Sequence, residues 1–229
     1  MGHHYYVQQG EYLAQIARAN GFASYKPIWE APENSDLKEK RKNPNILLPG
    51  DKLFIPDKET REESVATDQK HRFEARVEKL ILRVMLMGLK KEPLAGHECA
   101  LVVEGDSEQI TTGGDGKLEK TIPATAGAGK LTDRGKPGPG LRVEREIPLK
   151  IGNLDPVTEI SGQIGRLNNL GYLAGDLPDH ALAPEEEDLL RHAPEFLSAV
   201  EEFQCDFGLK VDGMCGKNTQ SKLVEVHGC

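Results

Sequence analysis

The hydrophobic pattern of this chain changes period twice, and no single layer of secondary structure satisfies both periods. Apolar residues recur at helical spacing near the start, alternate at period two through the middle, and return to a 3.6-residue stripe from Ile160 onward. Between the first two regimes, Asp57 to Arg72 is almost wholly polar, follows Pro56 and reads as an exposed connector. With 229 residues the chain has room for more than one core. The pattern predicts a multi-domain α+β protein in four segments. These are a βααβ block at 1–57, a charged linker at 58–72, an antiparallel β-sandwich at 73–151 and a three-helix bundle at 152–229.

Local signals place the elements. Tyr5-Tyr6-Val7 predicts a strand closed by Gly10; Tyr12, Leu13, Ile16 and Ala17 predict a helix ending at Gly21. Ile28 and Trp29 belong to a second helix, a polar run spans Glu33 to Lys42, and Leu53-Phe54-Ile55-Pro56 closes the block as a strand. In the middle segment Leu80, Leu82, Val84 and Leu86 share one strand face, with Arg83 and two Met residues on the other. Ala100 to Val103, Leu118 to Ile122 and Leu141 to Leu149 are further strands, and Gly113 to Gly116 is a turn. The Gly/Pro-rich stretch Ala126 to Gly140 reads as a long loop. In the last segment Ile160, Ile164, Leu167 and Leu170 form one helical stripe, and Phe196, Val200, Phe203 and Phe207 form another. A third helix, capped by Asn218 or Thr219, carries Leu223 and Val226. The acidic stretch Asp176 to Pro194 reads as a solvated loop or a partner-facing surface.

Composition then excludes several functions. The longest apolar stretch, Leu80 to Leu89, is broken by Arg83 and falls short of the ~20 residues of a membrane-spanning helix. The start, Met1 to Gln9, has neither a basic flank nor an apolar core, so the expectation is a chain made in the cytoplasm without a cleaved signal. The net charge is -8, and residues 152–229 hold 14 of the 37 acidic but only 5 of the 29 basic residues, which argues against nucleic acid. Cys99, Cys205, Cys215 and Cys229 form no C-x-x-C pair, and their pairing stays open. No H-E-x-x-H, G-x-S-x-G or phosphate-loop spacing occurs, and His97-Glu98-Cys99 is too short to count as a metal cluster. Asp155 and Glu159 suit a helix N-terminus for dipole reasons alone. The expectation is therefore a chain with no catalytic residue, no cofactor and no metal.

Two blocks resemble known families. Tyr6-Val7, Gly10-Glu11-Tyr12-Leu13, Ile16-Ala17 and Gly21, followed by Asn45-Ile46-Leu47-Leu48-Pro49-Gly50-Asp51-Lys52-Leu53-Phe54-Ile55-Pro56, resemble a LysM module over residues 5–57. Tyr12 stands where a Thr or Ser is common, and the stretch from Glu33 to Asn43 is longer than usual. Arg166-Leu167-Asn168-Asn169-Leu170-Gly171-Tyr172-Leu173, Val200 to Gln204, and Gly208-Leu209-Lys210-Val211-Asp212-Gly213 with Gly216 and Thr219 resemble the three-helix peptidoglycan-binding domain of wall hydrolases. The order of parts, and the joining segment Ile147 to Pro156, resemble proteins encoded beside type VI secretion spike components. The middle is similar to transthyretin-like or immunoglobulin-like spacers.

The LysM resemblance implies a glycan groove in which Gly10, Glu11, Tyr12 and Leu13 face Asn45, Ile46, Leu47 and Leu48. The competing reading is that Leu13, Ile46 and Leu48 are core and Gly10 a turn former. Tyr172, just after a cap glycine, is the candidate exposed aromatic. The expected function is non-catalytic binding of peptidoglycan, an N-acetylglucosamine-containing glycan, at the periplasm or wall when a secretion apparatus delivers the chain. The alternatives are an adaptor for a secretion spike or its toxin with sugar binding lost, and a wall hydrolase.

Overall fold

The computed structural model describes residues 2–58, 64, 67–72, 79–88, 90, 92–138, 144–177 and 180–229. It is a mixed α+β chain with antiparallel sheets. The expected positions 59–63 and 65–66 of the connector, and Leu141 and Val143 of the last strand, lie outside the described residues. Two compact units emerge. The first comprises Met1–Leu13, Lys26–Asp57 and Asn153–Cys229, and the second Ala14–Tyr25 and Lys58–Gly152. Among the described residues no helix is long and apolar enough to cross a membrane.

In the first unit, β1 (His3–Tyr6) pairs antiparallel with β2 (Lys52–Ile55), from His3 opposite Ile55 to Tyr6 opposite Lys52. Between them run α1 (Leu13–Ala19), which passes into the second unit, then α2 (Lys26–Trp29), a 3-10 turn at Pro32–Asn34 and α3 (Ser35–Arg41). The strand, helix, helix, strand order is present with one addition, because the polar run from Glu33 contains α3. Its signal is electrostatic rather than apolar: Asp36 sits in the first turn, Lys38, Lys40 and Arg41 in the last, and Leu37 alone is buried. Asn34 is 1% exposed and joins this segment to β2. Its Nδ2 donates to the carbonyls of Ile28 (2.8 Å) and Phe54 (2.7 Å), and its Oδ1 accepts from the Phe54 amide (2.7 Å).

Among the described residues the same unit holds four C-terminal helices, not the three expected. They are α4 (Ile160–Asn169), α5 (Pro184–Arg191), α6 (Pro194–Asp206) and α7 (Lys217–His227). The stripes read from the sequence meet in one core of Ile160, Ile164, Leu167, Phe196, Val200, Phe203 and Leu223. The added helix, α5, occupies the acidic stretch taken for a loop. It buries no residue, so apolar periodicity could not reveal it. It forms because Pro184 opens it, Glu186 accepts the Ala183 amide at 2.8 Å, acids fill its first turn and Arg191 its last. Likewise α7 begins two or three residues earlier than expected, with Gly216 at its N-cap in place of Asn218 or Thr219.

The second unit contains two antiparallel sheets. In one, β3 (Lys79–Met85) pairs with β6 (Lys117–Pro123); the other runs in the order β5 (Asp106–Thr111), β4 (Glu98–Val103), β7 (Ala128–Asp133), β8 (Arg145–Lys150). Leu118 and Ile122 of β6, Cys99, Leu101 and Val103 of β4, and Leu131 of β7 belong to one apolar cluster. As expected, Leu80, Leu82 and Val84 are the less exposed face of β3, and Ile81, Arg83 and Met85 face solvent. Two strands were not expected. The edge strand β5 is polar, and follows β4 through Glu104 (φ 50°) and Gly105 (φ 89°), a two-residue turn with both residues left-handed. The supposed loop from Ala126 contains β7, an inner strand whose end, Leu131-Thr132-Asp133, is buried whole.

Asp133 explains how a polar residue ends an inner strand. Its carboxylate accepts from the Gly135 amide (2.9 Å), lies 2.8 Å from His97 Nδ1 and 3.2 Å from Arg145 Nη2. Burial alone would push its pKa up, but the Gly135 N–H and His97 outweigh that and hold the carboxyl below its ordinary value. A carboxyl depressed in the folded state contributes stability above its unfolded pKa and loses it as pH falls through the folded one. Asp133→Asn is therefore expected to lower the urea midpoint at pH 7, with the deficit shrinking as the pH falls below about 4. A deficit that stays constant down to pH 2 contradicts this account.

Candidate functional site

Apart from Leu13, which opens α1, and Tyr172, which follows α4, the expected glycan residues fall on two loops of the first unit, one joining β1 to α1 and the other joining α3 to β2. Asp51, 8% exposed, organises the second loop. It forms a two-toothed ion pair with Arg41, Nε to Oδ2 at 2.7 Å and Nη2 to Oδ1 at 2.8 Å. The same carboxylate accepts the Leu48 amide at 2.9 Å, and the Asp51 carbonyl accepts the Val7 amide at 3.0 Å. The loops are also linked by the Leu13 amide, which donates to the Pro44 carbonyl at 3.2 Å. Arg41 was the residue sequence reasoning missed, because its partner is ten positions away and the run holding it read as featureless. The only available hint was its place in the last turn of a charge-ordered helix.

Each expected residue has a definite environment. Gly10, at φ +78°, is half-buried; a Cβ there would collide with Asn153 Oδ1, so the chain itself covers this point of the first loop. Glu11 is held by its neighbours: Tyr5 Oη donates to Oε1 at 2.7 Å, and the Gln8 amide to Oε2 at 2.8 Å. Tyr12 is 1% exposed and Leu13 fully buried, so the expected Tyr12 ring is not offered to solvent, and Leu13 is core as the competing reading held. Ile46 and Leu47 are buried, while Asn45 and Leu48 stay half-exposed. Asn45 Oδ1 is enclosed without a hydrogen-bond partner.

Tyr172 corrects the expectation of an exposed aromatic. It is 4% exposed, its ring meets Phe203 edge-on at 5.5 Å between centroids, and its Oη donates to Asp206 at 2.8 Å. The left-handed Gly171 reverses the chain after α4, and the contacts with Phe203 and Asp206 hold the ring that follows on the core. The exposed apolar residue is its neighbour Leu173, at 85%.

Buried polar groups fix the C-terminal helices. Arg166 is 1% exposed and donates only to carbonyls in its recorded bonds: Nε to Cys229 (2.8 Å), Nη1 to Asp155 (2.8 Å) and to Gly162 (2.7 Å). Burial lowers its pKa. Gln204, also 1% exposed, accepts the amides of Asp212 (2.9 Å) and Gly213 (3.1 Å). Its Nε2 donates to Met214 O (3.0 Å) and Thr219 Oγ1 (3.1 Å). One amide thus joins α6, the Asp-Gly turn and α7. Cys99, Cys205, Cys215 and Cys229 are all free thiols. Burial pushes Cys215 up to about 12, so it is a packing residue at neutral pH.

A cavity of about 170 Å³ opens in this unit, with Gln9, Leu48 and Pro49 on one side and residues from Asp155 to Glu187 on the other. Asp155 has its pKa raised, first by burial and also by neighbouring Glu159, although Ser161 Oγ donates to it at 2.6 Å.

Two outcomes test this geometry. Arg41→Met leaves Asp51 buried without its counter-charge and is expected to cost about 3–5 kcal/mol in urea unfolding. For Tyr5, burial and the Glu11 hydrogen bond raise the phenol to about 12, so its phenolate absorbance is expected to rise above the ordinary range near 10, and earlier in Glu11→Gln. Because the folded pKa exceeds the unfolded ~10, this group's stability contribution declines as pH rises from about 10 to about 12.

Against known proteins, residues 165–223 match the model of the family described as "Putative peptidoglycan binding domain". No curated protein and no solved structure matches the chain. The matched span runs from Gly165 in α4 through α5 and α6 to Leu223 in α7, and contains both Arg166 and Gln204.

Proposed function

We propose that this protein binds peptidoglycan without cleaving it. The observation that carries the reading is the family match over residues 165–223, which suggests peptidoglycan binding. Residues 1–57 are, in this reading, a LysM-like module. The antiparallel β1–β2 pair flanking helices and the Leu-x-Pro-Gly-Asp-x-Leu-x-Ile-Pro ending support it. The sheets of the second unit serve as a spacer. The lack of any nucleophile or metallohydrolase spacing in the sequence supports a non-catalytic role. The resemblance to proteins encoded beside type VI spike components supplies a route to the wall for the chain.

A second reading has its own support. Asn153 covers Gly10, and both Tyr12 and Tyr172 are buried, which removes aromatic platforms that a sugar would stack on. In that reading the modules are an adaptor for a secretion spike or its toxin, and sugar binding has been lost.

Co-sedimentation of the full chain with insoluble peptidoglycan separates the two. The expected result is protein in the pellet. Protein left in the supernatant at tens of micromolar, together with recovery of a spike or toxin protein from lysate, decides for the adaptor. Clearing of a wall-substrate zymogram would overturn the non-catalytic assignment.

A further inference from the structure

The cavity of the first unit is lined by two kinds of surface. Leu48, Pro49 and Leu182 give apolar wall, and Asp155, Glu159 and Glu187 give three carboxylates. At about 170 Å³ it is well above the ~30 Å³ that one water occupies. Part of the negative charge is already engaged. Ser161 Oγ donates to Asp155, Thr158 Oγ1 donates to Glu159 at 3.0 Å, and Arg191 Nη2 lies 3.6 Å from Glu187. His180 also lines the space, with its Nε2 3.5 Å from Glu186. None of the described lining residues is a lysine or arginine. Yet among the described residues no three acidic, histidine or cysteine side chains converge closely enough to hold a metal ion. The carboxylates ring a space instead of meeting at a point. That arrangement suits an extended organic cation better than an ion.

The geometry points to a receptor for a primary ammonium carried on an aliphatic stem, as in the side chain of a diamino acid. The stem lies against Leu48, Pro49 and Leu182, and the three N–H donors of the ammonium reach the carboxylates. The positive charge of such a ligand also offsets the burial and like-charge repulsion that raise Asp155. An anionic ligand is repelled, and a neutral sugar fills the space without compensating its charge. This deepens the wall-binding reading and rests on it only for the natural source, because diamino acids provide the crosslinking side chains of wall peptides.

The test is amide-resolved NMR of the full chain titrated with Nα-acetyl-lysine methylamide, its neutral norleucine counterpart, and N-acetylglucosamine. Saturable shifts at Gln9, Ser161, Ala181 and Leu182 are expected with the lysine probe alone. Glu159→Gln with Glu187→Gln is expected to weaken them at least about tenfold while leaving the spectrum dispersed. Leu48→Lys, which supplies a built-in ammonium, should abolish them with every carboxylate intact. Equal shifts with norleucine, shifts with the sugar only, or no shifts overturn the proposal. The wall as source is tested apart, by co-sedimentation with sacculi whose free amines have been acetylated. Loss of pelleting relative to untreated sacculi supports a wall ammonium; unchanged pelleting overturns that source. Failure to pellet with either, alongside lysine-specific shifts, sinks the wall-binding reading and leaves the cavity assignment standing.

Discussion

The arrangement of the first unit depends on a guanidinium that never reaches water. Arg166 carries a full charge into the helical core, and its recorded bonds all go to main-chain carbonyls, on Asp155, Gly162 and Cys229. Burying a charge costs several kcal/mol unless its donors are satisfied, so these carbonyls have to be held where the planar fork can reach them. That requirement fixes the segment entering α4, the first turn of α4 and the end of α7 at once. It also dictates Gly162, because a Cβ there would collide with the carbonyls of Asp155 and Pro156. No other residue lets the entering segment cross so close to the helix.

Fixing that entering segment has a consequence for the N-terminal block as well. The same short stretch carries Asn153 against Gly10 and Asp155 beside the cavity. A groove expected to lie open on the N-terminal block is therefore bordered by residues that the C-terminal helices hold in place. Any ligand there meets both blocks, and the contribution of each becomes inseparable from the other's position.

The parts of this that were legible in the sequence are those written in apolar periodicity. The stripes through Ile160, Phe196 and Leu223, the alternating face of β3 and the buried Leu13 all follow from burial, which repeats with the backbone. The parts that were not legible rest on polar groups. Helices α3 and α5 are set by end charges and contribute little or nothing to a core. Strand β7 ends in the buried Thr132 and Asp133, and the Asp133 carboxylate tolerates burial because specific partners satisfy it. The two-toothed Arg41–Asp51 pair and the hubs at Asn34 and Gln204 join positions whose relation only the folded chain reveals. Tyr172 failed for a different reason: a residue after a left-handed glycine turns either outward or back, and spacing does not say which.

The same asymmetry bears on recognition. The two tyrosines expected to make sugar platforms, Tyr12 and Tyr172, lie inside this unit, while its most exposed large apolar residues, Leu173 and Leu189, are aliphatic and offer no ring to stack on. The charge that the cavity offers a ligand is negative: carboxylates beside an apolar wall, in a segment of the chain with nearly three acids for every base. Specificity built on such groups comes from leaving a buried charge unpaired when the wrong ligand enters, a larger penalty than a missing methylene imposes. A wall polymer offers both polyanionic and amine-bearing parts. An acidic cavity accepts only the second, which restricts contact to short peptide features and disfavours the charged polymer bulk.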